Sequence, residues 1–217
     1  MDAAPTDHPS VILGVDALVS DIADRLEAAS GRLIVGIAGS PGSGKSTLAA
    51  QVLERFPGDA ALVPMDGFHL ANEQLDVLGR RERKGAPDTF DAHGFVALLR
   101  RCRAVEPGSH GSPPPGTVYA PRFVREIEES FAAAIAVPVS VRLVLTEGNY
   151  LLLDEQPWSD LDDVIDVRYH LDVDHDVRRE RLVARHIAFG KSPAAARAWA
   201  LGPDEANAVR IEAAAGR

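Results

Sequence analysis

Short apolar runs alternate along the chain with stretches whose apolar residues recur every three or four positions. That alternation predicts strands interleaved with helices. Leu18, Ile22 and Leu26 fall on one face of a helix predicted over Asp16–Ala29, which Ser30-Gly31 stops. Leu33–Ala38 is continuously apolar and runs into a glycine-rich turn, as a buried strand does. A second helix is expected over Ser46–Phe56, ended by Pro57-Gly58, and a second strand over Ala60–Met65. Pro64 has no N–H for a ladder, so this strand belongs at a sheet edge. Further helices are read at Gly94–Arg103 and Glu126–Ala136, and strands at Val141–Thr146 and Ile165–Leu171. Asp172 and Asp174 can cap a helix over Val177–Ala188, and Pro193–Ala200 and Asp204–Ala214 read as helical. Residues 1–10 read as a tail, Asn72–Ala92 is polar and basic, and Glu106–Thr117 is a Pro-, Gly- and Ser-rich loop. The expected class is α/β with a parallel sheet.

The 217 residues are 46% apolar, enough for a sizeable core. Lys and Arg number 23 against 32 Asp and Glu, a formal charge of −9. Such a balance argues against a nonspecific nucleic-acid binder or an anionic-membrane surface protein, both of which need a broad basic footprint. A polyanion would have to be held in a small local pocket. Cys102 is the single cysteine, which excludes an intrachain disulfide or a cysteine-based zinc site. The N-terminus carries Asp2 and Asp7 instead of a basic leader, and no run approaches a membrane span of roughly 18 apolar residues. A cytoplasmic location is the expectation.

The sharpest motif is Gly39-Ser40-Pro41-Gly42-Ser43-Gly44-Lys45-Ser46-Thr47, a G-x-x-x-x-G-K-[ST] loop between a predicted strand and a predicted helix. Gly39, Gly42 and Gly44 let backbone N–H groups, with those of Ser40, Ser43 and Thr47, converge on phosphate oxygens. The helix N-terminus adds its positive end. Lys45 can reach the β- and γ-phosphates and the Ser46 hydroxyl can ligate Mg²⁺. No N-K-x-D guanine motif or L-S-G-G-Q transporter signature occurs, and a compact ATP-dependent kinase remains.

Such an enzyme needs a base, a metal-associated acid and mobile cations. Asp66 ends the second predicted strand, where ligands of open α/β sheets bind, and it suits a general base; a turn aspartate before Gly67 is the plainer alternative. Glu147 ends the third and can serve Mg²⁺, or merely cap a turn. Arg178, Arg181 and Arg185 share one helix face and can neutralise the transferring phosphoryl group, unless they pair with nearby acids in solvent. Trp158 and Trp199 read as packing residues, and His69 and His93 as ordinary polar histidines, His69 gaining weight from its closeness to Asp66.

The strings Met65-Asp66-Gly67-Phe68-His69, Arg83–Asp91, Tyr119-Ala120-Pro121-Arg122-Phe123 and Thr146–Asp154 resemble the pantothenate kinase/uridine kinase/phosphoribulokinase group, over about Arg32 to Asn207. The branch that looks nearest holds bacterial nucleoside/nucleotide kinase or fructose-transport-system kinase proteins. The resemblance implies a three-layer P-loop fold, with helices on both sheet faces, strand order 2-3-1-4 and a helical lid. Residues 1–31 would form a tail and helix and 32–217 one kinase domain, with an acceptor-side insertion at 67–125 and a lid at 177–203. The family's fifth strand follows the lid, but no apolar run does so here, so that strand is expected to be missing or reduced. Asp66 takes the base position and Glu147 that of the Mg²⁺-associated acid. Arg178 and Asn207 fall to the nucleotide; His69, Arg83, Lys84, Asp88, Asp91, Tyr119, Arg122 and Asn149 fall to the acceptor side.

The expected activity is ATP- and Mg²⁺-dependent phosphorylation of a hydroxyl on a small metabolite, a sugar, nucleoside or pantothenate-like compound, by a monomer or homodimer. Neither nucleic acid nor membrane is an expected partner. Two alternatives stay open: a nucleotide-binding switch with slow hydrolysis, and a kinase acting on a phosphate acceptor. The latter would draw on Arg80, Arg81, Arg83 and Lys84, the one dense basic stretch.

Overall fold

A computed structural model describes residues 10–11, 14–104 and 116–216. The Pro-rich loop expected at Glu106–Thr117 lies outside these residues as far as position 115. In chain order the strands are β1 (Ser10–Val11), β2 (Leu33–Ala38), β3 (Ala60–Pro64), β4 (Val118–Val124), β5 (Glu129–Val137), β6 (Leu143–Gly148) and β7 (Val167–His170). The helices are α1 (Val15–Ala28), α2 (Lys45–Glu54), α3 (Asn72–Val77), α4 (Ala92–Ala104), α5 (His175–Ala188), α6 (Pro193–Leu201) and α7 (Pro203–Ala215). None of the described helices is long and apolar enough to cross a membrane.

The main sheet is parallel, in the order β3-β6-β2-β7-β1. Its four longer strands thus follow the anticipated order 2-3-1-4. Pro64 sits in the edge strand β3, where its missing N–H costs no ladder bond to a further strand. The fifth position is filled after all, but from the other end of the chain. Ser10 and Val11, read from sequence as tail and its border, pair with Tyr169 and His170. A two-residue strand is too short to show a period, so the sequence could not announce it.

Alternate residues of the buried strands feed two cores. Val35 and Ile37 of β2 and Leu145 of β6 pack with Leu18, Ile22 and Leu26 of α1 and Leu48 and Val52 of α2. Ile34 of β2 and Val144 of β6 face the opposite side, among Phe95 and Leu99 of α4, Trp158, and Ile211 of α7. Helices therefore cover both sheet faces, the three-layer arrangement that buries a parallel sheet. Buried Arg32 donates to the carbonyl oxygens of Cys102, Pro138, Val139 and Val141, tying the end of α4 to the approach to β6. α4 begins at Ala92, two residues before its predicted start, because the Asp91 carboxylate accepts from the N–H of Gly94 as a cap.

The helix predicted over Glu126–Ala136 does not exist; β4 and β5 form an antiparallel hairpin there. Glu and Ala favour a helix locally, and strand pairing overrides that preference. Glu128 turns the chain at φ 51°, and Ala133, at φ 56°, lies within the register shift of β5 against Ala120–Arg122. The hairpin lies directly on the turn Met65–Phe68. A Cβ on Gly67 would stand 2.4 Å from the Pro121 carbonyl oxygen, so only glycine permits this approach.

Gly67→Ala should therefore cost about 1–3 kcal/mol through forced displacement of backbone, seen in calorimetry as a Tm lower by about 2–10 °C. An unchanged Tm would mean that the hairpin does not bear on this turn.

Candidate active site

The C-terminal ends of β2, β3 and β6 open onto a cavity of about 500 Å³ roofed by α5 to α7. Between β2 and α2 the chain has only residues 39–44 in which to turn. Gly42 (φ 83°) and Gly44 (φ 103°) take left-handed conformations that side chains resist. A Cβ on Gly42 would also stand 2.7 Å from Leu182 Cγ, so the loop seats tightly under α5. No side chain caps α2, whose first N–H groups are left for a ligand at the cavity floor. Lys45 is buried, its ammonium donating to the Ser40 carbonyl (3.2 Å) and Asn149 Oδ1 (2.8 Å). Burial pushes the Lys45 pKa down, with Glu147 and Asp66 opposing. Ser40 and Ser43 are buried in the loop, and the Ser40 hydroxyl donates to Glu212 of α7 (3.1 Å).

Two carboxylates meet beside this loop. Glu147, in β6, accepts from the Ser46 hydroxyl at 3.1 Å. Asp66 lies in the turn just after β3, the strand whose Pro64 is in register with Glu147. The turn closes over the end of β6 because Gly148 has no side chain; a Cβ there would stand 2.6 Å from Met65 Cβ. Burial and the neighbouring Asp66 push the Glu147 carboxyl above the ordinary value. Burial also acts to raise Asp66, but His69, Arg125, Lys45 and Arg185 outweigh it and hold this carboxyl below the usual range. Burial lowers the pKa of His69, with the Asp66 charge and backbone carbonyl opposing. Arg125 pairs with Asp66 at 2.9 Å.

The His69 ring sits 4.0 Å from Phe90 and 4.6 Å from Phe123, centroid to centroid, and its Nδ1–H donates to the Asp66 carbonyl at 2.8 Å. Lys84 also borders the cavity, held by Asn72 Oδ1 (2.5 Å) and the Glu128 carbonyl. Asn149, Asn207 and Thr47 line it, Asn207 donating to the Gly85 carbonyl at 3.4 Å beside the Tyr150 hydroxyl.

The three arginines of α5 singled out by sequence are placed differently. Arg181 and Arg185 line the cavity, Arg181 reaching the Ser43 carbonyl at 3.3 Å. Burial, with Arg125 next, lowers the pKa of Arg185. Arg178 is only 1% exposed and pairs with Glu205 at 2.6 Å, behind the loop. Arg179 binds the same carboxylate, whose pKa is lowered to about 2 by Arg179 and Arg178 against burial.

Other sequence candidates lie elsewhere. Arg83 and Asp88 pair with each other at the surface, outside the cavity wall. Tyr119 is 46% exposed on the hairpin. Arg122 borders a smaller side cavity that shares Asp66, Arg125 and Glu147. His93 is exposed on α4 and Trp158 is buried in the core. Trp199, read as packing, instead lines the cavity, with the Lys191 ammonium 4.6 Å from its ring centre. Sequence reasoning also missed Arg125 and the His186–Asp204 pair at 2.7 Å. No spacing rule marks these residues, and the misread hairpin concealed Arg125.

This chain is similar to proteins of known kind. A Schizosaccharomyces pombe protein provisionally named a uridine kinase is 38% identical over 168 residues, 73% of this chain and 68% of the relative. The structure of a Silicibacter sp. TM1040 protein, provisionally named a fructose transport system kinase, matches with a TM-score of 0.81 at 38% identity, covering 93% of this chain and 95% of that one. The fold is also that of Saccharomyces cerevisiae YFH7, provisionally described as a P-loop kinase with a circular permutation: TM-score 0.76 at 20% identity, over 93% and 95% of the two chains. Residues 34–192 match the Phosphoribulokinase / Uridine kinase family, and the chain, a small-molecule kinase, belongs to it.

Proposed function

We propose that the protein transfers the γ-phosphoryl group of ATP to a hydroxyl of a small metabolite of the sugar, nucleoside or pantothenate-like kind, with Mg²⁺ as cofactor. The observation that carries this reading is a carboxylate held ionised, Asp66, facing the same cavity as Lys45 and the glycine-rich loop. A base opposite a phosphate cradle suits a hydroxyl acceptor. The acceptor oxygen forms the new bond to the γ-phosphorus as the bond to the β-phosphate oxygen breaks. Asp66 takes the hydroxyl proton, and ADP leaves. Arg125 fixes the Asp66 carboxylate and keeps it ionised without itself needing to touch the acceptor. Lys45, the loop amides, Arg181 and Arg185 offset phosphate charge where water is excluded. Arg178 holds the lid to Glu205 behind the loop.

Ser46 and Glu147 fit Mg²⁺. They are hard oxygen donors 3.1 Å apart, and the Glu147 carboxylate is buried with its pKa raised, as a group short of a cation would be. The described residues hold no cluster of three or more acidic, His or Cys ligands. Mg²⁺ takes one or two protein groups and completes its shell with phosphate and water. When bound, the ion would neutralise phosphate oxygens and orient the nucleotide.

Asp66→Asn should lower turnover by about 10²–10⁴-fold while leaving ATP affinity within about twofold; Lys45→Ala should remove both. An ATP-consumption screen over sugars, nucleosides and vitamins reads this out, and turnover retained in Asp66→Asn would remove it as the base. The raised Glu147 pKa gives a second test. Its proton must leave before the carboxylate can ligate, so the Mg²⁺ concentration for half-maximal rate should begin to rise, as pH falls, while the pH is still above the ordinary glutamate value of about 4.3. Glu147→Gln should lose this pH dependence along with most activity, and a Mg²⁺ requirement indifferent to pH would contradict the assignment.

A further inference from the structure

The basic stretch Arg80–Lys84 divides into two sets. Arg80 and Arg83 turn outward and share the Asp88 carboxylate. Arg81 and Lys84 turn inward and line the cavity. Among the described residues neither inward cation forms an ion pair. Lys84 is held by neutral oxygens, those of Asn72 and the Glu128 backbone. Arg81 Nη1 is buried with no hydrogen-bond partner. Burial lowers the Lys84 pKa, Glu129 and Glu128 oppose, and Arg81 adds to the lowering, so the two cations feel one another. Two like charges kept close, one with a buried unsatisfied donor, are costly unless something negative joins them. Glu82 and Glu128 also line this wall, yet neither carboxylate bridges to the pair.

The rings on this wall are already occupied. His69 contacts Phe90 and Phe123, and Phe123 lies 5.3 Å beneath the Lys84 ammonium. That leaves little open aromatic face to stack a nucleobase, which base recognition ordinarily uses.

We infer that the acceptor carries an oxyanion, a carboxylate or a phosphate, besides its hydroxyl, and that Arg81 and Lys84 bind this group. Arg81 supplies the fork that reads such an anion in two contacts, and Lys84 a preset point charge. The inference rests on the kinase reading above, with Asp66 as base for the hydroxyl. It narrows the acceptor from small alcohols in general to compact hydroxy acids or sugar phosphates.

The test compares compounds matched except for the anion: D-glycerate with glycerol, D-gluconate with D-sorbitol, fructose 1-phosphate with fructose, and uridine as a nucleoside. With the full chain, ATP and Mg²⁺, turnover above the basal rate is expected only with anionic members, and the carboxylate and phosphate arms tell the two groups apart. Arg81→Met and Lys84→Met should each raise the acceptor KM about tenfold or more, with the ATP KM within about twofold. Arg81→Lys should recover only part of the loss, restoring the charge without the two-contact fork, whereas a merely structural role would not follow the charge. Preference for a neutral partner or uridine, or an acceptor KM indifferent to Arg81→Met, would overturn the inference and leave the kinase reading standing. ATP consumption that no compound stimulates would contradict both.

Discussion

Two neighbouring carboxylates, Glu147 buried and Asp66 half-buried, set the terms for this site. Asp66 and Glu147 stand at the ends of neighbouring strands; burial and Asp66 raise Glu147, while on Asp66 the upward push of burial is outweighed by cations. A pair of this kind shares its titration, and it keeps charge only where cations converge on it. The cations come from separate parts of the chain: Lys45 from the start of α2, Arg125 from the hairpin turn and Arg185 from α5. Much of the fold beyond the central sheet delivers one of these groups. The resulting asymmetry is what the proposed mechanism uses, with Asp66 kept ionised as the proposed base and Glu147 as the proposed Mg²⁺ ligand.

The formal charge of −9 takes on a narrower meaning in this setting. An acidic chain can still hold a polyanion if its cations are spent inward, and several are. Arg32 is wholly engaged with backbone carbonyls in the interior. Arg178 and Arg179 of α5 are paired with Glu205 of α7. Lys45, Arg81, Lys84, Arg125, Arg181 and Arg185 border one cavity. The exclusion of broad polyanion surfaces and the assignment of a phosphate-binding pocket are therefore compatible.

Legibility in the sequence followed the range of the interactions. The glycine-rich loop, the alternation of strands and helices, and Pro64 at the edge are written in short segments and could be read directly. Asp66 and Glu147 stood out because each follows a strand. The hairpin could not be read so, because its β5 strand is mostly exposed, paired within the sheet only to β4, and rich in Ala. Its loss hid Arg125. Trp199 looked like packing because its only sequence signal is its size. Arg178, in phase with Arg181 and Arg185, showed that a shared helical face does not fix which partner a long side chain finds. Ser10–Val11 took the fifth place in the sheet through pairing alone.

The division of labour between the two acids is open to direct measurement. Carboxyl ¹³C NMR titration of the ligand-free protein, with signals assigned by Asp66→Asn and Glu147→Gln, reads both groups at once. The account predicts a lower step, below the ordinary aspartate value of about 3.9, followed chiefly by Asp66, and an upper step, above the ordinary glutamate value of about 4.3, followed chiefly by Glu147. The reverse order, with Asp66 holding its proton after Glu147 has lost its own, would contradict the assignment of Asp66 as the base.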